Sequence, residues 1–235
     1  MKTEYLLFNL IIILGPLLYS FDRRVTFVNQ WWNVARSVII PMAVFILWDA
    51  LVTGRHWWFN PHYTSEIRLL NLPLGEWLFF ITVPFACLFV WECLAAYLPD
   101  PQLPRAGQIS KWLLLAAPAG ILVFAAGKEY TGLVLIAMGG VGALDLLLGQ
   151  SLFARGRTYM FLGTVTLQTL IFNGYLTARP VVLYGESYQL GFRILSIPIE
   201  DFFYGFSYLL FCVLLFEFVK ASQSANQPVI EGQRA

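Results

Sequence analysis

Four carboxylates stand out in a chain that is otherwise poor in charge: Asp49, Glu76, Glu200 and Asp201. Glu76 follows Pro73 by three residues, and Asp201 follows Pro198 by three. Proline suits the first turn of a helix, where its missing N–H would have no partner. An acid just after it sits at the positive end of the helix dipole. Each turn therefore reads, at its simplest, as a helix start with a partly solvated acid. That reading does not explain why two adjacent acids, Glu200 and Asp201, open one helix. Neighbouring carboxyls resist double ionisation, so one of them tends to keep its proton. A neutral carboxyl beside a hydrocarbon pocket is a strong proton donor. Aromatic residues crowd both acid pairs. Trp48, Trp57, Trp58, Phe59, Trp77, Phe79 and Phe80 flank the first pair, and Phe202, Phe203, Tyr204, Phe206 and Tyr208 follow the second. They read either as an interfacial belt or as ring faces that shield a carbocation. Acid, aromatic walls and an apolar cavity together suit protonation of an alkene.

The elements that must hold these residues are membrane helices. Of 235 residues, 58% are hydrophobic and 12% charged, against about 25% charged in soluble domains. That composition excludes an ordinary soluble enzyme and a disordered chain. The net charge of +1 excludes a chain that tracks a phosphate backbone. Cys87, Cys93 and Cys212 lie in apolar runs and indicate no disulfide framework. His56 and His62 form no metal-ligand spacing with a Cys or a carboxylate. Seven stretches are apolar enough to span a bilayer: 5–21, 34–52, 74–97, 109–126, 132–148, 159–176 and 199–219. The expected fold is all-α: one polytopic membrane domain over 1–220 with seven transmembrane helices, and a solvated, disordered tail over 221–235. The fifteen lysines and arginines divide nine to six between the two sides. The nine-residue side is expected to be cytoplasmic, which puts the N-terminus outside and the C-terminus inside.

The chain also repeats itself. At an offset of 125, Pro73 and Glu76 return as Pro198 and Asp201, Tyr63 as Tyr188, Arg68 as Arg193, Cys87 as Cys212 and Glu92 as Glu217. At an offset of 124, Asp49, Thr53 and Arg55 return as Asn173, Thr177 and Arg179. Repeat one covers 5–97 and repeat two 132–219, joined by a linking helix at 109–126. The linker makes the repeats parallel, with a pseudo-twofold axis along the membrane normal and a binding place at their interface. The four acids then share one membrane face, with Arg55, Arg68, Arg179 and Arg193 close by. Glu92 and Glu217 belong near the opposite face.

The paired turns, Pro73–Glu76 and Pro198–Asp201, are followed by Trp77-Leu78-Phe79-Phe80 and Phe202-Phe203-Tyr204. With Trp48-Asp49, Trp58-Phe59-Asn60, Tyr63 and Arg179-Pro180-Val181-Val182, they make the chain up to Lys220 resemble the small membrane-integral lycopene cyclases. The resemblance implies a cofactor-free lycopene β-cyclase, an intramolecular lyase or isomerase acting in carotenoid biosynthesis. Such an enzyme protonates a linear ψ end of lycopene, lets a six-membered ring close, and removes a proton to leave a β-ionone ring, giving γ-carotene and then β-carotene. It implies a lipophilic carotenoid substrate and surrounding lipid, allows contact with other carotenoid enzymes, and involves neither nucleic acid nor metal.

On this reading Glu200 donates the proton, while Asp201 and Glu76 position or tune it. Asp49 is the next candidate, as base or donor. Trp48, Trp58, Trp77, Phe80, Phe203, Tyr204 and Asn173 would line the substrate site. Arg68, Arg193, Tyr63 and Tyr188 would support the acidic turns. The first turn has Gly75 where the second has Glu200, a departure from the family's paired acids, and Gly75→Glu is expected to be tolerated. A carotenoid hydratase or isomerase would share the protonation step. A retinal pigment needs a lysine inside the last span, and 199–219 has none. A transporter shares the parallel repeats but would place its acids at the midplane.

Overall fold

The computed structural model describes residues 2–225. Repeat one contains helices α1 (Glu4–Tyr19), α2 (Trp31–Val52) and α3 (Leu74–Tyr97). Between α2 and α3 lie three short strands, β1 (Trp57–Phe59), β2 (Arg68–Leu69) and β3 (Leu72–Pro73). The linking span is broken into α4 (Ile109–Leu113) and α5 (Ala116–Ala125). Repeat two contains α6 (Glu129–Leu148), α7 (Gly156–Gln168) with its continuation α8 (Gly174–Ala178), strands β4 (Val182–Tyr184), β5 (Arg193–Ile194) and β6 (Ile197–Pro198), and α9 (Ile199–Ala225). Among the described residues, five helical stretches are long and apolar enough to cross a membrane: Phe27–Val52, Leu74–Tyr97, Ala106–Ala125, Glu129–Leu148 and Ile199–Gln223. The shorter α1 and the α7–α8 rod complete a seven-helix, all-α membrane fold.

Local departures from the expected spans have identifiable causes. Pro16, Pro41 and Pro84 sit inside α1, α2 and α3 without ending them, as membrane helices tolerate when neighbours satisfy the freed carbonyls. The linking span does break, four residues before Pro118, where the ring would crowd the carbonyl of Leu114. A single π turn over Thr169–Asn173 joins α7 to α8, a feature often found at functional sites. The tail was expected to be disordered from Ala221, but α9 continues to Ala225. The remaining part of that expectation, 226–235, lies outside the described residues.

The packing follows the repeat. α1 packs on α3 and α6 on α9, while α2 packs on α9 and α7 on α3. α3 and α9 therefore form the centre, each flanked by helices of both repeats. Two ion pairs tie the halves together: Arg179 to Glu4 at 3.0 Å, and Arg55 to Glu129. Each pair joins an arginine of one repeat to the first residue of the other repeat's opening helix. Linking helix α5 lies close against α6, where a Cβ on Gly120 would come within 2.5 Å of the Gly132 carbonyl. Small residues there permit the approach.

The strands carry the same symmetry. β2 pairs with β3 through Arg68–Pro73 and Leu69–Leu72. β5 pairs with β6 through Arg193–Pro198 and Ile194–Ile197, the same register at an offset of 125. Strands β1 and β4 pair with each other antiparallel, as Trp57–Tyr184, Trp58–Leu183 and Phe59–Val182. Trp58 and Leu183 are repeat equivalents, so the pseudo-twofold axis passes between them. Trp58→Cys combined with Leu183→Cys should therefore form a disulfide across the two repeats under mild oxidation. Cleavage of the 98–108 loop followed by non-reducing electrophoresis checks this. Separation of the halves would mean that the repeats do not meet at this strand pair.

Candidate active site

The acids sit where the two halves meet. Glu76 lies in the first turn of α3, and Glu200 and Asp201 lie in the first turn of α9. The hairpins β2–β3 and β5–β6 deliver these turns, and their backbones need special geometry. Leu70, Asn71 and Leu195 all take left-handed conformations, which non-glycine residues adopt only when their surroundings enforce it. Arg68 donates to the Asn71 carbonyl at 3.1 Å, and Arg193 donates to the Ser196 carbonyl at 2.8 Å. The two arginines thus hold the hairpin turns through backbone carbonyls.

Each half supplies one tyrosine to an acid. Tyr5 donates to Glu76 at 2.5 Å, and Tyr130 donates to Asp201 at 2.6 Å. These tyrosines are equivalent at the 125 offset, as are the acids. Asp201 also accepts from Tyr184 at 2.5 Å and from the Asn173 amide at 2.7 Å. Asp49 accepts from the Trp57 indole at 2.6 Å and from Thr53 at 3.0 Å. Asp49 and Glu76 are close neighbours, and Asp49 Oδ2 has no hydrogen-bond partner in the protein. Asp49, Glu76 and Asp201 are all buried.

These three acids open onto one cavity of about 470 Å³. Its walls come from α1, α3, the α7–α8 rod and α9. Beyond the acids and their tyrosines the lining is almost wholly apolar, including Ile12, Phe79, Val83, Phe172 and Leu209. The lining runs along α3 from Glu76 to Val90, a rise of about 21 Å at 1.5 Å per residue. At the far end Tyr19 lines the cavity and is 68% exposed. The cavity is thus a hydrocarbon groove, acidic at one end and open at the other.

Of the expected site residues, Asp49, Glu76, Asp201, Asn173 and Tyr204 line this groove. Glu200 does not. Its carboxyl accepts from Thr131 at 2.6 Å and from the Leu190 backbone N–H at 2.7 Å, which ties α9 to α6 and to the loop before β5. Trp58 and Phe203 are each 42% exposed on the outer surface, Trp77 donates to the Leu69 carbonyl, and Phe80 is buried against Tyr208. None of these four lines the groove. Trp48 lines a different one. Tyr63 lies under the Arg179 guanidinium, and Tyr188 under that of Arg55 and beside His56. Burial pushes the His56 pKa down, against the pull of the Glu129 carboxylate beside it. Glu92 and Glu217 belong to an ion-pair cluster with Arg155, Arg157 and Lys220 near the other end of α3 and α9. Asp145 accepts from Ser110 and from the Leu152 N–H. Among the described residues, no group of three His, Cys, Asp or Glu side chains is placed to hold a metal ion.

The tyrosines Tyr5, Tyr130 and Tyr184 were not anticipated. The first two had a signal: Glu4-Tyr5 returns as Glu129-Tyr130 at the same offset. Tyr184 had none, because it reaches Asp201 only through the cross-repeat strand pair.

A cluster of buried carboxyls at one end of an apolar groove suits a class of proteins that act on hydrocarbon chains. The family model for lycopene cyclase matches residues 2–94 and 128–219, one match in each repeat, and the chain belongs to that family. No curated protein and no solved structure matches the chain.

Gly75, where repeat two has Glu200, has a structural reason. A Cβ at this position would lie 2.7 Å from the Tyr5 ring. The absent side chain lets Tyr5 reach Glu76. Contrary to the expectation from sequence, Gly75→Glu should therefore displace Tyr5 and lower cyclisation by about tenfold or more, as loss of a hydrogen bond to a charged or charge-sharing group implies. Assay of membranes containing equal amounts of folded variant and native protein checks it. Unchanged turnover would show that the Tyr5–Glu76 contact is dispensable.

Proposed function

We propose that this chain is a lycopene β-cyclase whose proton donor is the Asp49–Glu76 pair. The observation that carries the reading is the partnering of the three groove acids. Asp201 accepts three hydrogen bonds from neutral donors, and such bonds favour the carboxylate. Asp49 accepts from Trp57 and Thr53 through one oxygen only, its other oxygen has no hydrogen-bond partner in the protein, and Glu76, which accepts from Tyr5, is its close neighbour. Two carboxyls can share a hydrogen bond only if one carries a proton, and a buried pair resists losing it.

The chemistry then follows the groove. The polyene lies along the apolar walls with one ψ end at the acids. The Asp49–Glu76 pair gives its proton to the terminal alkene, which leaves a tertiary carbocation. The neighbouring double bond attacks that centre, forms the ring carbon–carbon bond and moves the positive charge to the next ring carbon. Loss of a proton from the adjacent ring carbon leaves the ring alkene. The Asp201 carboxylate faces the charge as it moves and is the group placed to accept that proton. Tyr204, Tyr208 and Phe79 present rings to the cation, as cation–π stabilisation requires. One proton enters and one leaves, so the reaction is an isomerisation without redox change. The donor assignment thereby moves from Glu200 to the acids that line the groove. The proposed orientation has the acid end at the outer face of the membrane and the N-terminus outside, a reading supported by the nine-to-six division of lysine and arginine.

Loss of a general acid or base costs about 10²- to 10⁴-fold in rate. Glu76→Gln and Asp201→Asn should each lower β-ring formation by that much in lycopene-accumulating cells, read by pigment chromatography. Glu200→Gln keeps an acceptor for Thr131 and Leu190, and should retain turnover within about tenfold, since neutral hydrogen bonds differ from charged ones by only about 1–2 kcal/mol. The reverse order of effects would return the donor role to Glu200. A hydroxylated, uncyclised product from the native protein would favour a hydratase.

A further inference from the structure

A second cavity, of about 400 Å³, lies on the other side of α9, between α2, α6 and α9. The pseudo-twofold axis relates α1, α3 and α7 of the first groove to α6, α9 and α2. The second cavity is therefore the repeat-related copy of the first. The residues agree: Gly15, Tyr19 and Gln168 line the first, and their equivalents Gly140, Leu144 and Val44 line the second.

The copy has lost its chemistry. Three first-groove residues are replaced by larger ones: Thr169 by Phe45, Phe172 by Trp48 and Ala86 by Phe211. Phe45 and Trp48 close the acid end together with Tyr204. Their ring centroids lie 5.4 Å apart, with Tyr204 at 5.2 Å from Phe45 and 4.9 Å from Trp48. No acid lines this groove, because Asp49, the neighbour of Trp48, turns into the first one. Its sides still meet lipid, since Val44 is 49% and Leu147 82% exposed.

We propose that the second groove is a non-catalytic binding site for a polyene chain of the substrate class. The choice of occupant rests on the cyclase reading of the first groove. Its shape derives from a groove built for such a chain. Its lining includes no Lys, Arg, Asp or Glu to hold a phospholipid headgroup. Polar atoms come only from Ser207 and from Trp48, whose buried Nε1 has no hydrogen-bond partner in the protein. One polyene therefore sits against the acids while another is held on the far side of α9.

The test uses matched plugs. Neither Gly15 nor Gly140 has any atom within 4 Å of the position a Cβ would take, so a large side chain at either position enters its groove. The full-length protein is purified in detergent from lycopene-accumulating cells, and total carotenoid per chain is measured by extraction and absorbance. The native protein should carry two polyenes. Gly140→Phe should carry one and cyclise at the native rate, and Leu144→Trp, a second plug in the same groove, should behave alike. Gly15→Phe should also carry one, but without cyclisation. A native ratio of one, co-purified phospholipid in place of the second polyene, or second-groove plugs that leave the ratio at two would each overturn the proposal. A native protein that carries two polyenes and cyclises neither would overturn the cyclase reading while supporting the second site.

Discussion

A carboxyl in hydrocarbon must be neutralised by a proton or surrounded by donors, and the architecture follows from meeting that demand three times in one place. An unpaired buried charge is too costly to keep. Asp201 meets the demand with Tyr130, Tyr184 and Asn173. Asp49 has Trp57 and Thr53, and Glu76 has Tyr5. The two repeats thus partner their acids differently, and the proposed division between proton donor and acceptor rests on that difference.

Duplication makes the site possible, and divergence makes it asymmetric. The parallel repeat brings Glu76 and Asp201 to the same end of the molecule, and the Tyr5 and Tyr130 pairs keep the repeat symmetry there. Asp49 against Asn173 breaks the symmetry in α2 and α7–α8. Gly75 against Glu200 breaks it again, since the glycine admits Tyr5 while Glu200 fastens α9 to α6 through Thr131. Phe45 and Trp48 then close the acid end of the second groove. The result is one acid-lined groove in a scaffold that has the geometry for two. The conserved parts of the symmetry are structural: the hairpins held by Arg68 and Arg193, and the cross-repeat pairs of Arg55 and Arg179.

The scaffold was largely legible in the sequence. Hydrocarbon demands long apolar runs, so the seven spans could be read directly, with α3 correct at both ends. The offset of 125 showed up in rare residues, and the strand registers keep it. Side-chain direction was less legible. Adjacent residues on a helix point about 100° apart, so Glu200 and Asp201 need not face the same way, and sequence alone could not tell that only Asp201 lines the groove. The same holds for Phe79, which lines the groove, against Phe80, which is core. Trp58 faces outward because the axis passes through its strand pair, a tertiary fact without a local signal. Gly75 looked like a lost acid because its contact, the Tyr5 ring, lies 70 residues away in sequence.

The proposed donor requires a proton between Asp49 and Glu76 in the resting protein. Infrared spectroscopy of the protein in lipid near neutral pH measures this directly, through the carbonyl stretch that only a protonated carboxyl shows and its shift in heavy water. Such a band is expected in the native protein, lost in both Asp49→Asn and Glu76→Gln and kept in Glu200→Gln. A native spectrum without the band, or a band lost only in Glu200→Gln, would contradict the proposed donor.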